Sequence, residues 1–236
     1  KKSLEDFTFK EGDSGSYSFT CMNTDTMAMF DSDGKVYNSV LNDFTKEGAP
    51  IGTLAQFQAK LEFAFPVNEN NSYLMTQSSG FIFIVKGGNL LTKMKAGKEM
   101  VTLNGEGSKL FVPTALPNDV DKSNWKVAII TTDNKLVLFK LSEVSTIGKG
   151  AGVVTCALPN DTKIKAVKVI TDDCVLIEAT TPKGKKEKII KVEGDFFNKI
   201  LRKRSSAAKA IAVPTKDPES SIDFAVIVEE ASETDK

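Results

Sequence analysis

Residues 126–141 read Lys-Val-Ala-Ile-Ile-Thr-Thr-Asp-Asn-Lys-Leu-Val-Leu-Phe-Lys-Leu, two runs of β-branched and apolar residues joined by Asp133 and Asn134. Such runs are typical of strands. An Asp-Asn connection between them predicts a tight hairpin, because both residues tolerate the left-handed backbone that a type I′ turn requires. A polar loop around Lys149 and two further apolar stretches follow. The segment therefore predicts one small β-unit.

The same unit recurs along the chain. Hairpin turns are predicted at positions 34, 80, 134 and 184, which are 46, 54 and 50 residues apart. Self-similarity at such a period is the signature of a propeller or solenoid, whose units are too small to bury their own faces. In each repeat the hairpin is followed by later strands, the first of them predicted at 48–54, 100–103, 153–158 and 210–213. We predict a single all-β domain over residues 1–229, with repeats at about 1–23 (partial), 24–70, 71–117, 124–172 and 173–229, and an acidic disordered tail over 230–236.

The composition argues against an enzyme. The chain contains no histidine, which removes the usual general base and the commonest metal ligand. Acidic pairs such as Asp172 and Asp173 lie at predicted turns without further oxygen ligands, so we interpret them as turn formers. The loop at 148–152 lacks the Gly-Lys-Ser/Thr ending of a nucleotide-binding loop. We therefore predict no catalytic residue, no metal site and no cofactor.

The charges are balanced overall but unevenly distributed. Residues 1–72 carry 6 Lys/Arg and 11 Asp/Glu, a net charge of −5, whereas residues 173–214 carry 10 and 5, a net charge of +5. Clustered Lys/Arg is expected of a protein that binds a nucleic-acid backbone, because each contact neutralises a phosphate and releases counterions. We predict that the last full repeat contributes most to DNA affinity and the acidic first section least.

The candidate DNA-binding residues lie in loops of the middle and last repeats. For each cluster alone, the alternative is a solvated turn rich in lysine and glycine. Recurrence at one position of the repeat favours binding, because stacked or radial repeats place that position along a continuous surface. The candidates are Lys93, Lys95, Lys98 and Lys149 in the middle repeats, and Lys183, Lys185, Lys186, Lys188, Lys191, Lys199, Arg202, Lys203, Arg204 and Lys209 in the last.

The ordered series of these motifs resembles the C-terminal β-pinwheel of bacterial type II topoisomerase A subunits. The resemblance is carried by the hairpin pattern at 128–139, Gly-Lys-Gly at 148–150, Lys-Ala-Gly-Lys at 95–98 and Phe-Lys-Glu-Gly-Asp at 9–13. Gyrase A subunits carry a Gln-Arg-Arg-Gly-Gly-Lys-Gly box. Nothing in this chain matches the box, and residues 46–48 and 148–150 are similar to only a small part of it. The chain is therefore more similar to the topoisomerase IV branch of the family.

This resemblance implies a disc of about five four-stranded blades, the first incomplete, whose basic rim binds and bends double-stranded DNA for strand passage. It implies no activity for the chain alone, since the catalytic tyrosine of the family lies in another domain. The implied protein partners are the remainder of the A subunit and an ATPase B subunit. Together they form an ATP-dependent enzyme, which is expected in the bacterial cytoplasm at the nucleoid. The isolated domain is expected to be monomeric and not bound to a membrane. Two alternatives stay open: a gyrase-type DNA-wrapping domain, and a propeller that binds other proteins.

Overall fold

The structure, a computed structural model, describes residues 19, 21–22, 24–40, 55–159, 161–187, 189–205 and 209–225. Within these residues the regular structure is mostly antiparallel strand, with one helix, α1 (Gly194–Ile200), and two 3₁₀ turns, Gly87–Leu90 and Leu141–Glu143. The prediction of an all-β fold is confirmed. The strands are β1 (Thr26–Asp31), β2 (Lys35–Val40), β3 (Leu61–Val67), β4 (Ser72–Thr76), β5 (Phe81–Lys86), β6 (Lys98–Glu99), β7 (Thr114–Leu116), β8 (Lys126–Thr131), β9 (Lys135–Lys140), β10 (Val153–Val154), β11 (Ile164–Ile170), β12 (Cys174–Thr180), β13 (Ile190–Glu193), β14 (Ile211–Ala212) and β15 (Ser221–Phe224).

Each described sheet contains a hairpin, central in the first three sheets, and the hairpin loop ends in the same way in all four. The last loop residue has a positive φ in each: 80° at Gly34, 95° at Gly80, 58° at Asn134 and 77° at Gly184. Its N–H donates to the carbonyl three residues earlier, at 2.8 to 3.1 Å. The four predicted turn positions are thus confirmed. The predicted type I′ turn is wrong, because Asp133 does not share the positive φ of Asn134; the loop has three residues and ends in a left-handed one.

Each of the first three sheets is completed by a strand from the following repeat. The strand orders are β3-β1-β2-β6, β10-β5-β4-β7 and β11-β8-β9-β14, and the fourth sheet, β13-β12-β15, has three strands among the described residues. The outer strands β6, β10 and β14 pair with the second strand of the preceding hairpin. A blade of the structure therefore contains strands from two successive repeats of the sequence. The sequence analysis did not predict this exchange.

The exchanged strands are shorter than predicted. The strands expected at 153–158 and 210–213 are the two-residue β10 and β14, whereas the strand expected at 100–103 is wrong, because β6 ends before it, at Glu99. The predicted strand at 48–54 lies outside the described residues, as does most of the partial repeat at 1–23. Beyond β6, Val101 makes an isolated parallel bridge to Gly150, and its N–H donates to the Gly34 carbonyl at 3.0 Å.

We number the four described sheets in chain order as the first to fourth blades, and the repeats at 24–70, 71–117, 124–172 and 173–229 as the first to fourth repeats. The hydrophobic core lies between successive blades. One cluster of buried side chains joins the first two blades, for example through Phe30 and Tyr73. A second joins the second and third blades through Leu74 and Ile129. A third joins the third and fourth blades. Among the described residues, successive blades therefore share their cores, as expected of a repeat protein.

A buried glutamine ties a loop of its own repeat and a loop of the next repeat to the second blade. The amide nitrogen of Gln77 donates to the carbonyls of Thr102 and Ala151, each at 3.0 Å. Its amide oxygen accepts from the backbone N–H of Asn104, also at 3.0 Å. The side chain is inaccessible to solvent, and these bonds satisfy it there. Gln77 therefore helps to position the segments that carry the basic loops.

Candidate nucleic-acid interface

The structure places most of the predicted DNA-binding side chains at the surface. Lys98 and Arg204 are half-buried, and Lys188 lies outside the described residues. The exposed candidates are Lys93, Lys95, Lys149, Lys183, Lys185, Lys186, Lys191, Lys199, Arg202, Lys203 and Lys209. These side chains differ in whether a neighbouring carboxylate forms an ion pair with them.

The loop that carries Lys93 and Lys95 is held against the first blade by a tyrosine. Gly97, with φ 78°, lies directly on the ring of Tyr37, where a Cβ atom would stand 2.5 Å from Cζ. The Tyr37 hydroxyl donates to the buried carboxylate of Asp31 at 2.8 Å. Burial and this hydrogen bond raise the pKa of Tyr37, so the hydroxyl keeps its proton at neutral pH. The loop therefore has a defined position on the blade.

The loop that carries Lys149 lies on the loop of the preceding repeat. The N–H of Gly150 donates to the Met100 carbonyl at 3.0 Å, and the Gly150 carbonyl accepts from the N–H of Thr102 at 3.1 Å. This pairing brings together two candidates that are far apart in sequence. Lys98 and Lys149 line the same surface groove, which has a volume of about 510 Å³.

Lys35, which the sequence analysis did not select, lines the same groove. It directly follows Gly34, the last residue of the first hairpin loop. Lys135 and Lys185 follow the corresponding residues of the third and fourth loops. That recurrence was a signal in the sequence. It was overlooked because the first section has a negative net charge.

Two lysines of the last blade are paired with carboxylates. Lys186 forms an ion pair with Glu178 at 3.0 Å, and Lys191 forms one with Glu193 at 2.8 Å. Glu193 raises the pKa of Lys191 through a hydrogen bond and its charge. Exposed ion pairs add little to stability, but the carboxylate reduces the field that an approaching phosphate meets.

Other candidates form no ion pair with any described residue. They come from the second, third and fourth repeats, Lys98 from β6, Lys199 from α1 and the others from loops: Lys93, Lys95, Lys98, Lys149, Lys183, Lys185, Lys199, Arg202, Lys203 and Lys209.

Arg204 is bonded within the protein. Its Nε donates to the Glu143 carbonyl at 2.9 Å, and its Nη1 donates to the Val154 carbonyl at 2.6 Å. Its backbone N–H donates to the Glu143 carboxylate at 2.6 Å. The guanidinium has five N–H donors, so part of its capacity is already used by other blades. The neighbouring Arg202 differs, because its side chain is exposed.

Metal-binding and membrane-spanning features are not found in the described part of the chain. In the described residues, no group of three or more His, Cys, Asp or Glu side chains is placed to hold a metal ion. No helix of the described part is long and apolar enough to cross a membrane.

Comparison with known proteins gives relatives of one kind. No family model matches the chain. The sequence is 31% identical to the A subunit of DNA topoisomerase 4 from Pseudomonas aeruginosa over 123 residues, 52% of this chain and 16% of that protein. It is 24% identical to the same subunit of Caulobacter vibrioides over 150 residues, 61% of this chain and 19% of that protein. Each match therefore spans less than a fifth of the relative.

The fold is similar to three solved structures, each with 16% sequence identity. The C-terminal domain of E. coli ParC matches with a TM-score of 0.73, over 94% of this chain and 91% of that one. The C-terminal domain of DNA topoisomerase IV gives 0.65, over 86% and 64%, and that of DNA gyrase A gives 0.57, over 86% and 73%. The predicted β-pinwheel is thus confirmed. The chain is thus similar in sequence, over about half its length, to the A subunits of DNA topoisomerase 4, and it has the fold of the C-terminal domains of E. coli ParC and DNA gyrase A.

Proposed function

We propose that this chain is the DNA-binding C-terminal part of a topoisomerase IV A subunit, and that it holds a duplex on a basic rim for strand passage without catalysing the reaction. The observation that carries the proposal is the set of exposed cations on successive repeats that form no ion pair with a described residue, among them Lys93, Lys149, Lys185 and Arg202. Cations spaced along a stacked repeat follow a polymer of phosphates better than they fit a small ligand, because each neutralises a separate phosphate.

The proposed binding does not depend on base sequence. Phosphate contacts fix the position of a protein on DNA but carry no information about the bases. The one helix of the described residues, α1, has seven residues and buries Phe197 and Ile200 against the blades. It is therefore unsuited to enter a major groove as a recognition helix.

The proposal extends to the larger enzyme. Residues 1–229 act as one domain and 230–236 as an acidic tail, and the isolated domain is a monomer. The remainder of the A subunit cleaves the DNA, and a B subunit hydrolyses ATP, in the bacterial cytoplasm at the nucleoid. The support is that the relatives are whole A subunits, of which the matched region is less than a fifth.

Fluorescence anisotropy with two duplexes of equal length and unrelated sequence tests the proposal. We expect the chain to bind both, with affinities that agree within about threefold, which corresponds to less than one kcal/mol. Binding confined to one of the two sequences would contradict phosphate recognition. A propeller that binds other proteins would bind neither duplex.

A further inference from the structure

We propose that Lys35, Lys98 and Lys149 form one phosphate-binding site, in the groove between the first blade and the loops of the next two repeats. The inference rests on the proposed function. It places a DNA phosphate on the first blade, whose strands β1 to β3 lie in the acidic section of the sequence. It adds Lys35, and with it the first blade, to the DNA-binding surface.

The three lysines come from three successive repeats, and the strand exchange brings them together. Lys35 is the first residue of β2, and Lys98 lies in β6, opposite Val36 of β2. Lys149 lies in the loop of the third repeat, whose Gly150 is hydrogen bonded to the residue after β6, Met100. All three side chains line the same groove. The site exists only when the blades are assembled, so the repeat pattern in the sequence does not reveal it.

The ammonium groups have hydrogen-bond capacity to spare. Lys35 donates to the side-chain oxygen of Gln58 at 3.4 Å, and Lys98 donates to the Asn89 carbonyl at 2.7 Å. An ammonium has three N–H donors, so each keeps two for phosphate oxygens. Among the described residues, none of the three lysines forms an ion pair. Their charges are therefore not cancelled by direct contact with a carboxylate.

The charge of the groove opposes the charge of the surrounding sequence. Among the described residues, three lysines line it together with one carboxylate, that of Glu99. Asp33 lies in the adjoining part of the surface, which Lys35 and Lys149 also line. A phosphate diester carries one negative charge, so the lysine-rich part of the groove attracts it although residues 1–72 carry a net charge of −5. Local geometry, rather than the charge of the segment, decides the sign of the interaction.

A phosphate of a polymer fits this groove better than a free anion. Lys149, Met94 and Gln58 are exposed, so the groove is an open channel and bound water can replace a single small ion easily. A duplex is held by neighbouring lysines as well, including Lys93 and Lys95 on the adjacent loop. The proposed ligand is therefore the sugar-phosphate backbone of DNA.

The test is Lys35→Ala in the full chain, with affinity for a mixed-sequence duplex measured at several salt concentrations. Loss of one phosphate contact lowers the magnitude of the log–log salt slope by about 0.9. We expect this for Lys35→Ala and, separately, for Lys149→Ala, while Lys35→Arg keeps the slope of the unmodified chain. Lys60→Ala is the matched control, an exposed lysine immediately before β3 of the same blade, and should not change the slope.

The outcomes separate this inference from the proposed function. If the unmodified chain does not bind DNA, the proposed function fails. If Lys149→Ala weakens binding but Lys35→Ala behaves like Lys60→Ala, the site is wrong and the proposed function stands. Displacement of the duplex by inorganic phosphate at constant ionic strength would indicate a free-anion site and overturn the assignment to DNA. The backbone N–H of Lys35 donates to the Asp31 carboxylate and is kept in every variant, so the variants should keep the thermal midpoint of the unmodified chain. If Lys35→Ala lowers the midpoint, Lys35→Gln also removes the charge, and its salt slope is measured instead.

Discussion

The guanidinium of Arg204 donates a hydrogen bond to the backbone carbonyl of Val154, 2.6 Å away and 50 residues earlier in the chain. Val154 belongs to β10, the strand that the third repeat contributes to the second blade. An arginine that the sequence predicts as a phosphate contact thus also ties the last repeat to the second blade. The two arginines of the chain should therefore differ in their effect on stability.

We expect Arg204→Ala to lower the free energy of unfolding by about 2 kcal/mol, because two hydrogen bonds from a charged donor are removed and the Glu143 and Val154 carbonyls lose their partner. Arg202→Ala should change it by less than about 0.5 kcal/mol, because that side chain is exposed. Urea denaturation of both variants measures the difference. Equal stabilities would show that the Arg204 hydrogen bonds do not contribute.

A second matched pair tests the strand exchange. A Cβ atom at Gly34 would stand 2.3 Å from the Val101 carbonyl oxygen, beside the exchanged strand, whereas at Gly184 it would meet nothing within 4 Å. Both positions have a positive φ, so Gly184→Ala should cost about 1 kcal/mol of unfolding free energy from the backbone alone. Gly34→Ala should cost at least about 3 kcal/mol, because the exchanged segment must move. Similar losses for the two variants would argue against the exchange.

The hairpins of this fold could be predicted from the sequence, whereas the exchange could not. Gly34, Gly80, Asn134 and Gly184 mark the loops, because the left-handed backbone there favours glycine or asparagine. The exchanged strands β6, β10 and β14 have two residues each, too few to show any alternation of polar and apolar residues. Their partners lie in the preceding repeat, so local propensity does not identify them.

For the candidate site, the sequence locates exposed cations but not their partners. Counting charges favoured the last repeat, yet Lys186 and Lys191 there are paired with Glu178 and Glu193. Lys35 was overlooked for the opposite reason, since it stands in an acidic segment. Whether a charge is available depends on side chains brought near by folding, which a running sum along the chain does not contain.

The loop between β14 and β15 should loosen in acid. The Glu187 carboxylate accepts from the Ser220 hydroxyl at 2.6 Å and from the Lys216 and Asp217 N–H groups at 3.0 and 3.4 Å. These hydrogen bonds lower the pKa of Glu187. A carboxyl whose pKa is lower in the folded state stabilises the fold above its ordinary pKa, and this contribution is lost as the pH falls through the lowered value.

We therefore expect the hydrogen-exchange protection factors of Lys216 and Asp217, corrected for intrinsic exchange, to fall across that acidic window. In Glu187→Gln the protection factors should be lower than in the unmodified chain at neutral pH, and they should not change across the acidic window. A wild-type loop whose protection is independent of pH would contradict the role of this carboxylate.

Two double variants of the last blade test whether paired and unpaired cations differ in DNA binding. Both remove two positive charges: Lys185→Ala with Arg202→Ala removes unpaired groups, and Lys186→Ala with Lys191→Ala removes paired ones. We expect the first pair to lower the magnitude of the salt slope by about 0.9 for each phosphate that is no longer neutralised, and the second to lower it less. Equal reductions would mean that only the net charge matters.

The most direct test of the account is the affinity of the unmodified chain for a mixed-sequence duplex, measured as a function of salt concentration. If lysines and arginines of successive blades neutralise separate phosphates, the logarithm of the association constant falls linearly with the logarithm of the salt concentration, with a slope of about −0.9 for each phosphate neutralised. Several such phosphates predict a slope steeper than about −3. No binding at low salt, or an affinity that does not change with salt, would contradict the account.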